Sequence, residues 1–484
     1  MVTIMSESSV EKKGRLILIC RGDVTPPVAF GLKKLTDAAE ARGLQVVRAG
    51  FWGRSQNVQN TSGDSPKDST RRDYLLLTGK TGERFVEMTL ARGGVSAENK
   101  PEGVVLARCP TGDGQTVTVC GGTDERGVLY ALCELAARVV SEGPPALELA
   151  AAIGSPSGAE YPVSAECPVT IEYPAIAVRV AGRFIMSERD DTWYFSDDFW
   201  TYYAARLAEN RINRLQLITG FDTAYMSPPY PFLVKTPGYE SVVGIAGKDH
   251  AERRGRCLAM LRRIGRTLHD HGVEFCFGIW QQKPWTSNQD YLVENSPPDD
   301  LFADYAQKSI AELLIQCPEI DTLSFRVNME AGVKREKDGR RTNTAEEFWF
   351  GMIDSIAGTG RRVGLDLRAK GLTDAMIAHA ADAGLNVTVP TKAWCEHIGL
   401  PYQMLQLRSE EMRHGGNFNG SRRYSYDDLQ RQPRTYDLQY RLWNYGSTNL
   451  LLWGEPYHVS RFIKSCLAAQ ATGFEFTVPL SLKG

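Results

Sequence analysis

Leu313-Leu314-Ile315-Gln316-Cys317-Pro318-Glu319-Ile320-Asp321-Thr322-Leu323-Ser324-Phe325-Arg326-Val327-Asn328-Met329-Glu330 joins the end of one periodic element to the polar tip of another. Its first part closes a helical pattern, Leu301 to Cys317. Its second part, Thr322 to Val327, is a short apolar strand candidate that ends in Asn328, Met329 and Glu330. Outward from this stretch the same rhythm recurs, with strand candidates at Ala177 to Phe184, Leu215 to Phe221, Val273 to Trp280, Arg362 to Leu367, Leu385 to Pro390, Asn449 to Trp453 and Phe474 to Val478. Helical patterns lie between them at Asp197 to Asn210, Asp249 to His271, Thr344 to Ala357, Thr373 to Ala383 and His458 to Ala469. Strands alternating with helices predict parallel pairing, and eight such strands predict a closed (β/α)8 barrel. The long stretch Ile398 to Arg434 between the sixth and seventh candidates exceeds an ordinary connection and is expected at the barrel mouth or rim.

The first 150 residues read differently. Short apolar runs (Leu16 to Cys20, Leu44 to Arg48, Tyr74 to Leu77, Val104 to Leu106, Thr116 to Val119) accompany two helical patterns, Ala29 to Arg42 and Gly127 to Val140. The expected organisation is therefore a smaller α/β domain over 1–150, a Gly/Pro/Ser-punctuated linker from Gly143 to Ala165, and a barrel over 168–484. The sequence ends just after the eighth strand candidate, so the last barrel helix is expected to be absent from it, the sequence being a fragment or another element sealing the gap.

Composition narrows the function. Of 484 residues, 42% are hydrophobic and 24% charged, as in an ordinary globular protein. The 56 basic and 58 acidic residues nearly cancel, which argues against nucleic-acid and membrane-surface partners. Ten cysteines are scattered without a CxxC pair and read as small core residues. The run Arg15 to Cys20 is too short for a signal h-region, so the chain as written reads as cytoplasmic, or as periplasmic or secreted if a leader has been removed. His269 and His271 bracket Asp270 without an H-E-x-x-H pattern, and no metal or cofactor is expected. Gly121-Gly122 to Gly127 lacks both the dinucleotide and the Walker spacings and reads as a turn.

In a barrel of this kind the reacting groups lie at the C-terminal ends of the strands. The polar inventory there comprises Arg183, Asp222, Trp280, Asn328, Glu330, Arg368, Lys370, Lys392, Trp394, Glu396, His397, Trp453 and Glu455. Aromatics, cations and carboxylates in one mouth describe a sugar site. Cleaving a glycosidic bond takes one carboxyl to protonate the leaving oxygen and a second, ionised one as base or nucleophile. Glu330 is the leading acid, and Glu455 and Glu396 are candidates for the second role. Arg183, Arg368, Lys370 and Lys392 either bind a substrate carboxylate, such as that of a uronic acid, or neutralise the site's own glutamates. Asp222, Trp280, Asn328, Trp394, His397 and Trp453 complete the expected substrate-binding set.

The segment Phe325-Arg326-Val327-Asn328-Met329-Glu330-Ala331-Gly332 resembles the strand-four segment of the bacterial α-glucuronidases that act on xylan-derived oligosaccharides. Val117 to Leu135 resembles the closing strand, turn and helix of the N-terminal module that β-hexosaminidases share with them. The resemblance implies a non-catalytic first domain, Glu330 as general acid, and inversion with a base from a later strand. The chain departs from that family in having no counterpart to its large helical C-terminal domain, and in Lys392 to Tyr402, which implies a different specificity. Two other readings stand beside hydrolysis. One is a sugar-binding barrel without catalysis; the other is a polysaccharide lyase using Lys392 or His397.

Overall fold

The computed structural model describes residues 14–20, 24–49, 72–149, 168–220, 225–244, 249–283, 293–327, 331–333, 335–337, 340–342, 346–369, 371–393, 434–443 and 456–477. The chain divides into two compact units, Met1–Pro174 with Asp270–Gly272, and Ala175–His269 with Val273–Gly484.

The first unit is built on strands β1 (Gly14–Cys20), β2 (Leu44–Ala49), β3 (Arg72–Lys80), β4 (Val104–Pro110), β5 (Thr116–Gly122) and β6 (Val169–Glu172), in the order β2-β1-β3-β5-β4-β6. The strands β2, β1, β3 and β5 pair in parallel, while β4 runs antiparallel to both β5 and β6. Helices α1 (Pro26–Ala41) and α3 (Glu125–Glu142) pack on each other, and α2 (Arg84–Arg92) buries Val86 and Leu90 against Leu77, Val105 and Val119. The sequence reading misses α2 and β6 and opens the barrel domain at 168; Val169–Glu172 instead completes this first sheet. Gly121 and Gly122 prove to be the last residues of β5. A Cβ on Gly122 would lie 2.1 Å from the Val128 nitrogen, so glycine there lets the strand end meet α3. Asp124 caps α3 by accepting from the Gly127 N–H at 2.8 Å, and it also accepts from the Glu102 N–H at 2.8 Å.

The second unit is a closed parallel barrel of eight strands: β7 (Val178–Ile185), β8 (Arg214–Thr219), β9 (Glu274–Ile279), β10 (Thr322–Phe325), β11 (Gly364–Leu367), β12 (Val387–Ala393), β13 (Asp437–Trp443) and β14 (Gly473–Thr477). Helices α4 (Asp197–Glu209), α5 (His250–Asp270), α6 (Phe302–Gln316), α7 (Glu346–Gly358), α8 (Asp374–Asp382) and α9 (Pro456–Ala468) lie between strands in sequence. A (β/α)8 barrel preceded by a smaller α/β domain is thus the architecture. Alternate strand residues face the helices. Leu215, Leu217, Phe275, Phe277, Leu323, Phe325, Leu365, Leu367, Leu438 and Tyr440 join Trp200, Leu261, Ile310, Trp349 and Met376 in one apolar core. Burying each such side chain stabilises the fold by about 1.5–3 kcal/mol.

Local chemistry sets the element ends. Ser196 Oγ accepts from the Phe199 N–H at 3.2 Å at the start of α4, and Thr373 Oγ1 accepts from the Met376 N–H at 3.3 Å at the start of α8. At the far end of α6 the Arg361 guanidinium donates to the carbonyls of Leu314, Cys317, Pro318 and Ile320 at 2.7–3.1 Å. A cation on the last carbonyls of a helix compensates its dipole. Cys109, Cys120, Cys257, Cys276, Cys317 and Cys466 are buried and take part in no disulfide among the described residues. Among the described residues no helix is long and apolar enough to cross a membrane.

One strand differs from the sequence reading. The seventh is Asp437–Trp443, where the reading takes Asn449 to Trp453, which lies outside the described residues. The reason lies in the pattern. Gln439 and Arg441 interrupt the apolar run with groups that the barrel interior holds, whereas Leu450-Leu451-Leu452-Trp453 is continuous and scores as a buried parallel strand.

Candidate active site at the barrel mouth

The residues alternating with the helix-facing set point into the barrel, and many of them are polar. Register pairs Gln216 with Cys276, Ser324 with both Gly278 and Asp366, and Arg441 with Glu475. Glu475 is completely buried, and its Oε2 accepts from Arg441 Nε at 2.7 Å and from Gln439 Nε2 at 3.2 Å. Arg441 Nη2 reaches across to Gln216 Oε1 at 2.9 Å. Arg441 is thereby held on two sides, by a strand neighbour and by a residue of β8.

Asp366 on β11 sits in the same interior, with Arg214 Nη1 3.8 Å from its Oδ1 and the Cys276 thiol donating toward Oδ2 at 3.8 Å. Burial pushes the Asp366 carboxyl up to about 6; Arg214 opposes that shift and Glu475 adds to it. Burial also works to lower the Arg214 guanidinium, but the carboxylates of Asp366 and Glu274 outweigh it and hold the group above its ordinary range. Arg214 is bonded to Glu274 Oε2 at 2.9 Å. Desolvation raises the Cys276 thiol well above its usual range, so it stays neutral.

At the C-terminal strand ends stands a cationic cluster on an indole. Trp280 directly follows β9 and is 1% exposed. Over its ring lie the guanidinium carbons of Arg326 at 4.6 Å, Arg368 at 5.0 Å and Arg441 at 5.2 Å. Arg326 directly follows β10, Arg368 directly follows β11, and Arg441 belongs to β13. Phe184 meets the indole edge-on at 5.4 Å. Each cation–π contact at a desolvated ring is worth about 2 kcal/mol. Three guanidinium groups on one ring concentrate positive charge at this end of the barrel, and Glu475 counters the share of Arg441. Among the described residues Arg441 Nη1, Gln216 Nε2 and Gln439 Oε1 are buried with no hydrogen-bond partner, which leaves them open to water or ligand.

The expected residues divide as follows. Trp280 and Arg368 come together at the mouth. Arg183 lies on the opposite parity of β7. Its guanidinium packs over Trp193 at 4.0 Å, Phe199 at 4.7 Å and Tyr203 at 5.6 Å, where burial lowers its pKa. It braces α4 and does not join the Trp280 cluster. Glu330, Glu396, Glu455, Asp222, Asn328, Lys370, Trp394, His397 and Trp453 lie outside the described residues, as does the side chain of Lys392. The residues flanking 328–330 are both buried, Val327 and Ala331. The Ala331 carbonyl accepts the N–H groups of Gln282 and Lys283 at 2.8 and 3.2 Å. Gly332 has φ +78°, and a Cβ there would fall 2.3 Å from the Lys283 carbonyl oxygen. Gln281 and Gln282 are anchored in turn by Ser227 Oγ at 3.0 Å and by the Tyr230 hydroxyl at 2.8 Å. Sequence reasoning misses Arg326, Asp366, Arg441 and Glu475. The alternation of β10 marks Arg326 as inward, and a correct seventh strand marks Arg441. Among the described residues no group of His, Cys, Asp and Glu is placed to hold a metal ion.

Neither the family models nor the curated proteins contain a match to the sequence. Among solved structures the chain is similar to a GH138 enzyme targeting pectin rhamnogalacturonan II. That similarity has a TM-score of 0.60 at 15% identity, over 96% of this chain and 46% of that one. It is also similar to CpGH84D (TM-score 0.44, 9% identity, 84% of this chain and 56% of that one) and to CpGH84B (TM-score 0.42, 11% identity, 98% and 65%). At these identities the likeness is one of fold. The chain spans less than half the length of the GH138 enzyme.

Proposed function

We propose that the barrel is a glycoside hydrolase acting on acidic, uronic-acid-containing oligosaccharides of plant cell-wall type, with Glu330 as general acid. The observation that carries the reading is the cluster of Arg326, Arg368 and Arg441 around Trp280 at the end of the barrel where such folds keep their chemistry. Guanidinium groups bind carboxylates through paired, charge-assisted hydrogen bonds, and the buried Trp280 indole gathers three of them at one place. The α-glucuronidase-like segment Phe325 to Gly332 supports an acid at Glu330, and a pectin-targeting enzyme of the same fold supports an acidic plant polysaccharide.

In this mechanism the arginines hold the substrate carboxylate and Glu330 gives its proton to the leaving glycosidic oxygen. An ionised Glu396 or Glu455 activates water or attacks the anomeric carbon. The first domain takes no part in bond cleavage. The test is hydrolysis of aryl uronides, neutral aryl glycosides and uronic-acid-containing oligosaccharides by the wild type and by Glu330→Gln. Cleavage confined to the acidic substrates is expected, with a loss of about a hundredfold or more in the variant. Turnover of neutral glycosides alone defeats the acidic-substrate reading. Unimpaired turnover by Glu330→Gln moves the acid to Glu396 or Glu455. Binding of sugars without any cleavage makes the barrel a binding protein.

A further inference from the structure

The first unit has a crevice of its own. In its sheet the chain runs from β1 through α1 to β2 on one side, then returns to place β3 on the other side of β1. The helix after β1 packs with α3, whereas the helix after β3 packs against Leu77, Val105 and Val119. The connections leaving β1 and β3 therefore diverge, and open α/β sheets bind ligands in the crevice outside the strand ends at such a reversal. A cavity of about 310 Å³ lies there, lined by Cys20 at the end of β1, Thr78, Gly79 and Lys80 at the end of β3, and residues from the starts of all three helices. Its volume falls at the lower end of the roughly 300–1,000 Å³ typical of small-molecule sites.

The lining carries its own sign of a ligand. Thr78 is 2% exposed and its Oγ1 has no hydrogen-bond partner among the described residues; the Oγ1 of Thr25, a second lining residue, just before α1, has none either. A buried hydroxyl without a partner is rare and calls for water or a bound molecule. The charged side chains are one ammonium, Lys80, against two carboxylates, Glu83 and Glu125; the positive ends of the three helices offset that excess, so the crevice is close to neutral and gives an anion no advantage. Val24, Val28 and Val128 supply apolar wall. Hydroxyls, an ammonium and carboxylates around a small, partly apolar space match a neutral polyhydroxylated ring.

We infer that this crevice binds a neutral monosaccharide, separately from any chemistry in the barrel. The inference does not depend on the barrel being a hydrolase, because every lining residue belongs to the first unit.

Cys20 gives a local readout. It lines the cavity and is partly exposed, and burial raises its thiol pKa, so it alkylates slowly and a ligand in the crevice should slow it further. The full chain is treated with iodoacetamide in the presence of D-xylose, D-galactose, L-arabinose or L-rhamnose, with D-glucuronate as the anionic comparison, and Cys20 labelling is followed by peptide mass mapping. At least one neutral sugar is expected to protect Cys20, with protection needing about five times more sugar in Thr78→Val, which keeps the shape and removes the hydroxyl. Lys80→Gln provides a second variant with the same expectation. Protection by none of the neutral sugars overturns the inference, as does equal protection by glucuronate. Unchanged protection in both variants overturns it as well. A failure of the hydrolase reading would appear in the Glu330→Gln assay and leave Cys20 protection untouched.

Discussion

Replacing Glu475 by glutamine removes one charge and almost no volume from the middle of the barrel. Glu475 is completely buried, its Oε2 holds Arg441 Nε at 2.7 Å, and Arg441 is itself 2% exposed. Glutamine can still accept one hydrogen bond, yet it leaves the guanidinium without its compensating charge in a region that also contains Arg326 and Arg368. Breaking a buried pair in this way costs about 3–5 kcal/mol, and the retained acceptor puts Glu475→Gln near the lower end. In a unit of this size each kcal/mol lowers the melting temperature by roughly 2 °C, so the barrel transition is expected to fall by about 6 °C. The two compact units are expected to give separate transitions, which calorimetry resolves better than a single spectroscopic probe. A Glu475→Gln barrel melting within about 1 °C of the wild type would refute the buried-pair argument. The pair Glu475→Leu with Arg441→Met sharpens the test. Replacing both charges by apolar groups should return most of the lost stability. It should also abolish binding of acidic oligosaccharides if Arg441 recognises them. Stability and recognition then separate in one protein.

Asp366 makes stability depend on pH. Its folded carboxyl titrates at about 6, above the roughly 3.9 of an unfolded aspartate, so between those values the native state holds a proton that the unfolded chain has lost. The barrel should therefore lose stability as pH rises across that window, by about 3 kcal/mol in all, and Asp366→Asn should remove this component from urea unfolding curves taken at pH 4.5 and 7; an identical pH dependence in the two proteins would count against it. Arg361→Ala deletes the bonds to the carbonyls of Leu314, Cys317, Pro318 and Ile320 and should cost about 2 kcal/mol. Hydrogen exchange should speed up selectively at the end of α6, and a loss spread evenly over the barrel would contradict the local role.

The outward half of the barrel was legible in the linear chain because the side chains facing the helices are apolar. The patterns at Leu215, Phe275, Leu323 and Leu365 announce their strands, and the helices between them follow from 3.6-residue periodicity. The inward half was not. Gln216, Asp366, Gln439, Arg441 and Glu475 read as interruptions in a linear pattern, and they become a bonded set only once the sheet closes and brings β13 and β14 beside β7 and β8. The misplaced seventh strand has this cause, and with it the missed Arg441. Arg183 shows the reverse case. Its place near a strand end suggested the mouth, but alternation along β7 turns it to Trp193 and to Phe199 and Tyr203 of α4. Position along a strand is written in local sequence, because it depends on neighbours a few residues away. The face on which a polar side chain ends, and the charges it meets there, depend on register between strands hundreds of residues apart, and only the closed barrel sets that.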